Sequence, residues 1–133
     1  MLSNLTTKKD IRTFSVSPEN LTGEKGKGGM AIEGSASKAA RELGQGWKVN
    51  PYLVVEPGVT VLADVKGQGA IKHIWLTDSA KPRTLIIRIY FDGHKNPAVE
   101  APLSDFFANA EYSEYRQLSS IAMCVNPARG LNC

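Results

Sequence analysis

Acid–base chemistry in this chain would have to rest mainly on carboxylates, because only two histidines are present. Hydrolysis by a carboxylate pair needs both groups facing one substrate, about 5–9 Å apart depending on the stereochemical course. The candidates are Glu19, Glu24, Glu33, Asp64, Asp78, Asp92, Glu100 and Asp105. Two of them have ready structural roles. Asp92 precedes Gly93, a turn-forming pair, and Asp105 is placed to cap a turn carrying Phe106 and Phe107. Glu19 and Glu24 are harder to explain as structure, because they sit with Asn20 and Lys25 in a glycine-rich stretch. Loops concentrate binding groups, although a solvated loop charge is the commoner case. The pattern singles out Glu19, Asn20, Glu24 and Lys25 as a candidate binding group and gives no residue a catalytic role.

Other chemistries find less support. Residues 26–31 fit G-x-G-x-x-A, but that dinucleotide pattern needs a preceding strand, and Leu21-Thr22-Gly23-Glu24-Lys25 is none. No G-x-x-x-x-G-K-[ST] loop occurs. His73 falls on a strand and His94 in a turn, while Cys124 and Cys133 have no nearby histidine, so zinc spacing is absent. Neither a metal nor a cofactor is expected, and a Cys–His nucleophile pair has nothing to recommend it. Asn4 and Asn20 begin glycosylation sequons, which lack meaning without a secretory signal. Trp47 and Trp75 could stack on sugar rings, but Trp75, on an alternating strand, reads as core.

The elements that must position these residues change character near residue 50. Seven glycines fall between residues 17 and 46, with little apolar periodicity, which predicts a long ordered loop or arm. One short helix is expected over residues 38–43, capped by Ser35 or Ser37 and ended by Gly44. From residue 52 onward the signal is β. Residues 52–55 and 59–65 are apolar runs separated by Glu56-Pro57-Gly58. Residues 70–77 place Ile71, His73, Trp75 and Thr77 on one face. In residues 84–91, Leu85, Ile87, Ile89 and Phe91 alternate with Ile86, Arg88 and Tyr90. Asp92-Gly93 and Asn96-Pro97 then lead into residues 98–103, which predicts a hairpin with a four- or five-residue loop. Residues 117–125 form a further strand candidate.

Strands at this spacing with Pro/Gly turns predict a mainly β fold, an antiparallel sandwich or barrel with at most short helices. Residues 1–50 form a Gly-rich N-terminal arm and short helix, and residues 51–133 an incomplete β-sandwich of the same domain. The end at Leu131-Asn132-Cys133 has no closing element, so a cut end with an unpaired sheet edge is expected.

The 133 residues, 42% hydrophobic and 22% charged, suit one soluble globular domain. The formal net charge of +3 lies wholly in the first fifty residues, with few interleaved aromatics, which argues against nucleic acid as a partner. No apolar run approaches the ~20 residues of a membrane span. Residues 1–10 are polar and lack the apolar region of a secretory signal. Two cysteines cannot make a disulfide scaffold. Free thiols and a cytoplasmic location are expected.

Several segments together resemble one family. They are Ser17-Pro18-Glu19-Asn20-Leu21-Thr22-Gly23-Glu24-Lys25-Gly26, residues 39–49 (AARELGQGWKV), residues 69–77 (GAIKHIWLT), Arg88-Ile89-Tyr90-Phe91-Asp92-Gly93, Pro102-Leu103-Ser104-Asp105-Phe106-Phe107 and residues 124–133. In order, they resemble the N-terminal part of glycoside hydrolase family 172, also known as domain-of-unknown-function family 2961. The resemblance implies a jelly-roll type β-sandwich, homo-oligomeric assembly and a carbohydrate substrate containing fructofuranose or arabinofuranose, including difructose dianhydride. It implies catalysis by two glutamates, one nucleophile and one acid/base. The acidic motifs associated with that chemistry lie in a later β-rich region and do not occur in this sequence. The resemblance therefore supplies no catalytic residue. It implies that Glu19, Asn20, Glu24 and Lys25 help to line a sugar pocket, in the N-terminal part of a hydrolase that is inactive alone. The alternative is a noncatalytic β-sandwich module that binds carbohydrate or mediates assembly.

Overall fold

A computed structural model describes residues 7, 8, 10–34, 42, 43, 53–77, 83–109, 117–125 and 130–133. The chain divides into two compact units, Met1–Gln68 and Gly69–Cys133. All strands among the described residues lie in the second unit, and all are antiparallel.

The second unit has a four-stranded sheet and a two-stranded sheet. Strands β1 (Trp75–Leu76), β6 (Leu131–Asn132), β5 (Cys124–Val125) and β4 (Leu118–Ser119) lie side by side in that order. Strands β2 (Ile86–Ile89) and β3 (Val99–Pro102) pair separately. Register puts Leu76, Leu131, Val125 and Leu118 in one row across the four-stranded sheet, and Trp75, Asn132, Cys124 and Ser119 in the row beside it. Successive side chains point to opposite faces of a sheet. The leucine–valine row joins the core, with Val125 and Leu131 fully buried. Ile87 from β2 and Leu103 and Phe107 from the helical turn complete that core. Among the described residues the fold is thus mainly β and antiparallel, with almost no helix.

The expected hairpin forms with a longer connection. β2 stops at Ile89, β3 starts at Val99, and the last rung runs from the Ala98 N–H to the Ile89 carbonyl, 2.8 Å. Inside the connection Asp92 and Gly93 both adopt left-handed φ, 54° and 70°, and the His94 N–H closes the turn on the Phe91 carbonyl. That is the Asp-Gly pattern of a mirror-image turn, formed within a wider loop because Tyr90 and Phe91 leave the ladder.

The strand expected over 117–125 is instead a hairpin. The Ser120 hydroxyl donates to the Met123 carbonyl and accepts from its N–H, both at 2.9 Å, while the Ser120 N–H donates to the same carbonyl. A serine side chain that satisfies the backbone locally competes with the ladder, so β4 folds back onto β5. The last strand, β6, is an inner strand of its sheet, and β1 and β4 are the edges.

α1 (Leu103–Phe106) is a single turn. Pro102 has no N–H for the ladder and ends β3, while the Leu103 N–H makes the final rung to the Leu85 carbonyl. The turn closes with a Schellman pair: Asn109 N–H to Ser104 carbonyl, 2.8 Å, and Ala108 N–H to Asp105 carbonyl, 3.0 Å. Asp105 does not cap this turn. Its carboxylate pairs with Arg83 at 3.0 Å and accepts the Ser104 hydroxyl. Phe106 and Phe107 meet edge to face, centroids 5.0 Å apart.

Trp75 is not core. Its residue is 58% exposed, while Ile74 and Leu76 turn inward. Alternation decides which residues share a face, but both faces carry apolar residues here, so the expectation that Trp75 is core picked the wrong face.

In the first unit the described residues form turns and a single isolated bridge, Ser17 to Asn20. Residues 53–65 pair into no strand; Asp64 donates its N–H to the Leu21 carbonyl at 3.1 Å. Of the short helix expected over 38–43, only Glu42 and Leu43 are described, in a helical turn; its caps and the other positions lie outside the described residues.

Candidate functional site

The four candidate residues lie in the loop over residues 17–34, which is built from the turn Ser17-Pro18-Glu19-Asn20. Pro18 sets φ at the second position of that turn, and Ser17 and Asn20 exchange backbone bonds of 2.9 and 3.2 Å. Asn20, 7% exposed, then grips the backbone of Glu24 with both ends of its amide. Its Oδ1 accepts the Glu24 N–H and its Nδ2 donates to the Glu24 carbonyl, each at 3.0 Å. The enclosed turn needs Gly23: its φ is +72°, and a Cβ there would lie 3.3 Å from the Phe14 Cβ.

Glu19 closes the other side of the loop. One carboxylate oxygen accepts the Gly29 N–H at 2.8 Å, and the other accepts the N–H groups of Met30 and Ala31 at 3.0 and 2.6 Å. Gly29, at φ +67°, turns the backbone so that consecutive amides converge. Such an amide cluster is an anion-binding nest, and its occupant is this chain's own glutamate. A half-buried carboxylate with three donors is well satisfied.

The four residues therefore separate into two kinds. The polar groups of Glu19 and Asn20 are committed to the backbone and hold the loop's shape. Glu24 and Lys25 are exposed, and no side-chain partner of either is found among the described residues. Sequence reasoning proposed the group but missed the Glu19 partners, ten to twelve residues away. The signal was the run Gly26-Lys27-Gly28-Gly29, which suits a nest better than a dinucleotide site.

Elsewhere the ionisable groups make local pairs. Arg88 Nε donates to Glu100 Oε2 at 2.6 Å across the β2–β3 ladder, and that hydrogen bond, ahead of the charge attraction, raises the arginine pKa above its usual value. His73 and His94 are exposed, and Cys124 and Cys133 form no disulfide. Among the described residues no group of three or more His, Cys, Asp and Glu could hold a metal ion. No helix among them is long and apolar enough to cross a membrane.

A family model described as the GH172 first beta-sandwich domain matches residues 39–128. The match takes in the two-stranded hairpin, α1 and strands β1, β4 and β5, and begins after the 17–34 loop. No curated protein matches the chain.

Proposed function

The chain belongs to glycoside hydrolase family 172 through its first β-sandwich domain, and from that membership we propose that it acts as the N-terminal part of a hydrolase of furanose-containing glycans. The observation that carries this reading is the family match over residues 39–128. The sandwich is of the jelly-roll type and supplies binding and assembly surface, with no catalytic carboxylate of its own. On this reading the chain alone binds glycan without cleaving it.

Within the 17–34 loop, Glu24 and Lys25 meet the sugar, while Glu19 and Asn20 hold the backbone that presents them. An exposed carboxylate beside an exposed ammonium can accept and donate hydrogen bonds to neighbouring hydroxyls. The partners follow: a carbohydrate, further copies of the chain in a homo-oligomer, and neither nucleic acid nor a membrane; the location is cytoplasmic.

The test is a titration of the full chain with a fructofuranose and an arabinofuranose oligosaccharide, by calorimetry, beside an assay for released sugar. Binding without release is expected, weakened about tenfold by joint replacement Glu24→Gln and Lys25→Met, a loss of about 1.4 kcal/mol. Release of sugar would mean that the chain carries its own catalytic pair. Unchanged affinity in the double variant would remove Glu24 and Lys25 from the pocket.

The assembly-module reading has an observation in its favour. Val54, Val59, Val61 and Val65 lie in a described stretch without a ladder, and Val59 is 87% exposed. Strand-prone residues left on the surface can serve as a contact between copies where they form one patch. Stable association of the chain without glycan affinity would favour it.

A further inference from the structure

The outer face of the four-stranded sheet carries an arrangement that the loop does not. Ile74 and Cys133 exchange both backbone hydrogen bonds, at 2.8 and 2.9 Å. Trp75 and Asn132, the next pair along, are therefore a non-hydrogen-bonded pair, the geometry that brings opposed side chains closest. Both project from the face opposite the buried Leu76–Leu131–Val125 row. Ser119 and Cys124 complete the Trp75–Asn132 row, so the indole stands at one end of a largely polar strip.

Each member of the pair has capacity left over. The indole is more than half exposed, on an edge strand, with no neighbouring strand beyond it among the described residues. The Asn132 amide donates one N–H to the Cys124 carbonyl at 3.3 Å. That bond draws the amide toward β5 and leaves its carbonyl oxygen and second N–H without a partner among the described residues. A flat π-face beside a donor–acceptor amide matches a sugar ring, which offers a C–H face and hydroxyls at its rim.

We propose that Trp75 and Asn132 form a sugar-stacking platform on the outer face of β1 and β6. A furanose ring of the glycan lies on the indole, and one of its hydroxyls bonds the Asn132 amide. The platform rests on the reading of the chain as a glycan-binding part of a hydrolase, and adds a second point of contact to it. A platform holds one unit of a chain without enclosing it, which suits extended substrates better than disaccharides.

Trp75 can report on itself. In the full-length chain carrying Trp47→Phe, Trp75 is the sole tryptophan emitter. Titration with an inulin-type fructo-oligosaccharide and with an arabinofuranose oligosaccharide should change its emission saturably. In calorimetry Trp75→Ala should lose about tenfold in affinity, Trp75→Phe less, and Asn132→Ala an intermediate amount. Because Trp75 is exposed, its circular dichroism spectrum and melting midpoint should match the parent. Binding by the parent that survives Trp75→Ala unchanged overturns the platform and leaves the carbohydrate reading standing. Failure of the parent to bind either oligosaccharide overturns both. An emission that follows protein concentration and ignores sugar, with Trp75→Ala turning an oligomer into a monomer, makes the face a contact between copies and overturns the platform.

Discussion

The loop over residues 17–34 and the core around Phe107 are both closed by contacts between residues distant in sequence, but the contacts differ in kind. In the loop, the Glu19 carboxylate and the Asn20 amide satisfy backbone groups of a glycine-rich chain that offers little apolar surface. In the core, Ile87, Leu103, Phe107, Val125 and Leu131 bury hydrocarbon between two sheets, and the backbone is satisfied by ladders. A sheet can hold its shape through the non-directional burial of many side chains. A glycine loop has no such reserve and depends on a few directional bonds. The side chains that neither kind of closure consumes are Glu24 and Lys25 in the loop and Trp75 outside the core.

The largest loss is expected at Phe107. The residue is 0% exposed and stacks edge to face on Phe106. Phe107→Ala removes a buried ring and leaves a cavity, a loss of about 3–5 kcal/mol, which is a large share of the stability of a small domain. Loss of the cooperative unfolding transition in urea is the expected outcome. A variant that melts like the parent would show that the two sheets do not share this core.

Glu19→Ala tests the other side. It removes the acceptor of three backbone N–H groups at once. Hydrogen bonds to a charged group are each worth about 1.5–3 kcal/mol when shielded, and solvent access discounts the set to about 1–2 kcal/mol in total. Amide hydrogen exchange at Gly29, Met30 and Ala31 should accelerate roughly tenfold. Glu19→Gln should restore part of the protection, because an amide oxygen can still accept. Equal exchange in all three proteins would mean that the nest does not depend on its glutamate.

Burial patterns were visible in the sequence more readily than directional bonds. Period two located the inner face of β2, because Leu85, Ile87 and Ile89 alternate with residues that include charged Arg88. It misoriented the stretch around β1, where Ile71 and Trp75 compete with Ile74 and Leu76 for the inside. The Ser120 turn was hidden because serine is neutral in pattern, and its effect depends on a hydroxyl reaching Met123. In the loop, the unusual density of Glu19, Asn20, Glu24 and Lys25 was visible, but their division of labour was not. A carboxylate that binds backbone amides ten or more residues away leaves no periodic trace. The family resemblance reached the sandwich through motifs such as residues 69–77 and 102–107, and most of those strands lie in the matched range.

A smaller effect of opposite sign is expected at Ala108. It occupies the left-handed position of the Schellman closure of α1, at φ 57°, where an alanine Cβ is strained. Ala108→Gly relieves that strain and gives back part of the gain through the entropy of the unfolded chain. A net stabilisation of about 0.5–1 kcal/mol is expected, read as a higher urea midpoint with an unchanged slope. A lower midpoint would show that the methyl group contributes packing worth more than the strain.

The smallest effect belongs to Arg88, although its pair with Glu100 is among the shortest polar contacts of the hairpin, 2.6 Å. The two residues are directly opposed in register, a favourable cross-strand placement. Both side chains are nevertheless exposed, and water and salt screen an exposed pair while its long side chains lose rotamer freedom. The sign of the pH dependence follows from the raised arginine pKa. A folded-state pKa above the unfolded value gives a contribution fully present below the unfolded pKa and lost only as pH rises through the folded one. Across the neutral range the arginine therefore adds no slope to stability. Arg88→Ala should shift the urea midpoint slightly at low ionic strength, and the shift should vanish in about 1 M salt, where the Debye length is about 3 Å. A shift as large as that of Phe107→Ala, or one that persists in salt, would mean that this hairpin is held by charge and that burial of Ile87 and Ile89 is secondary.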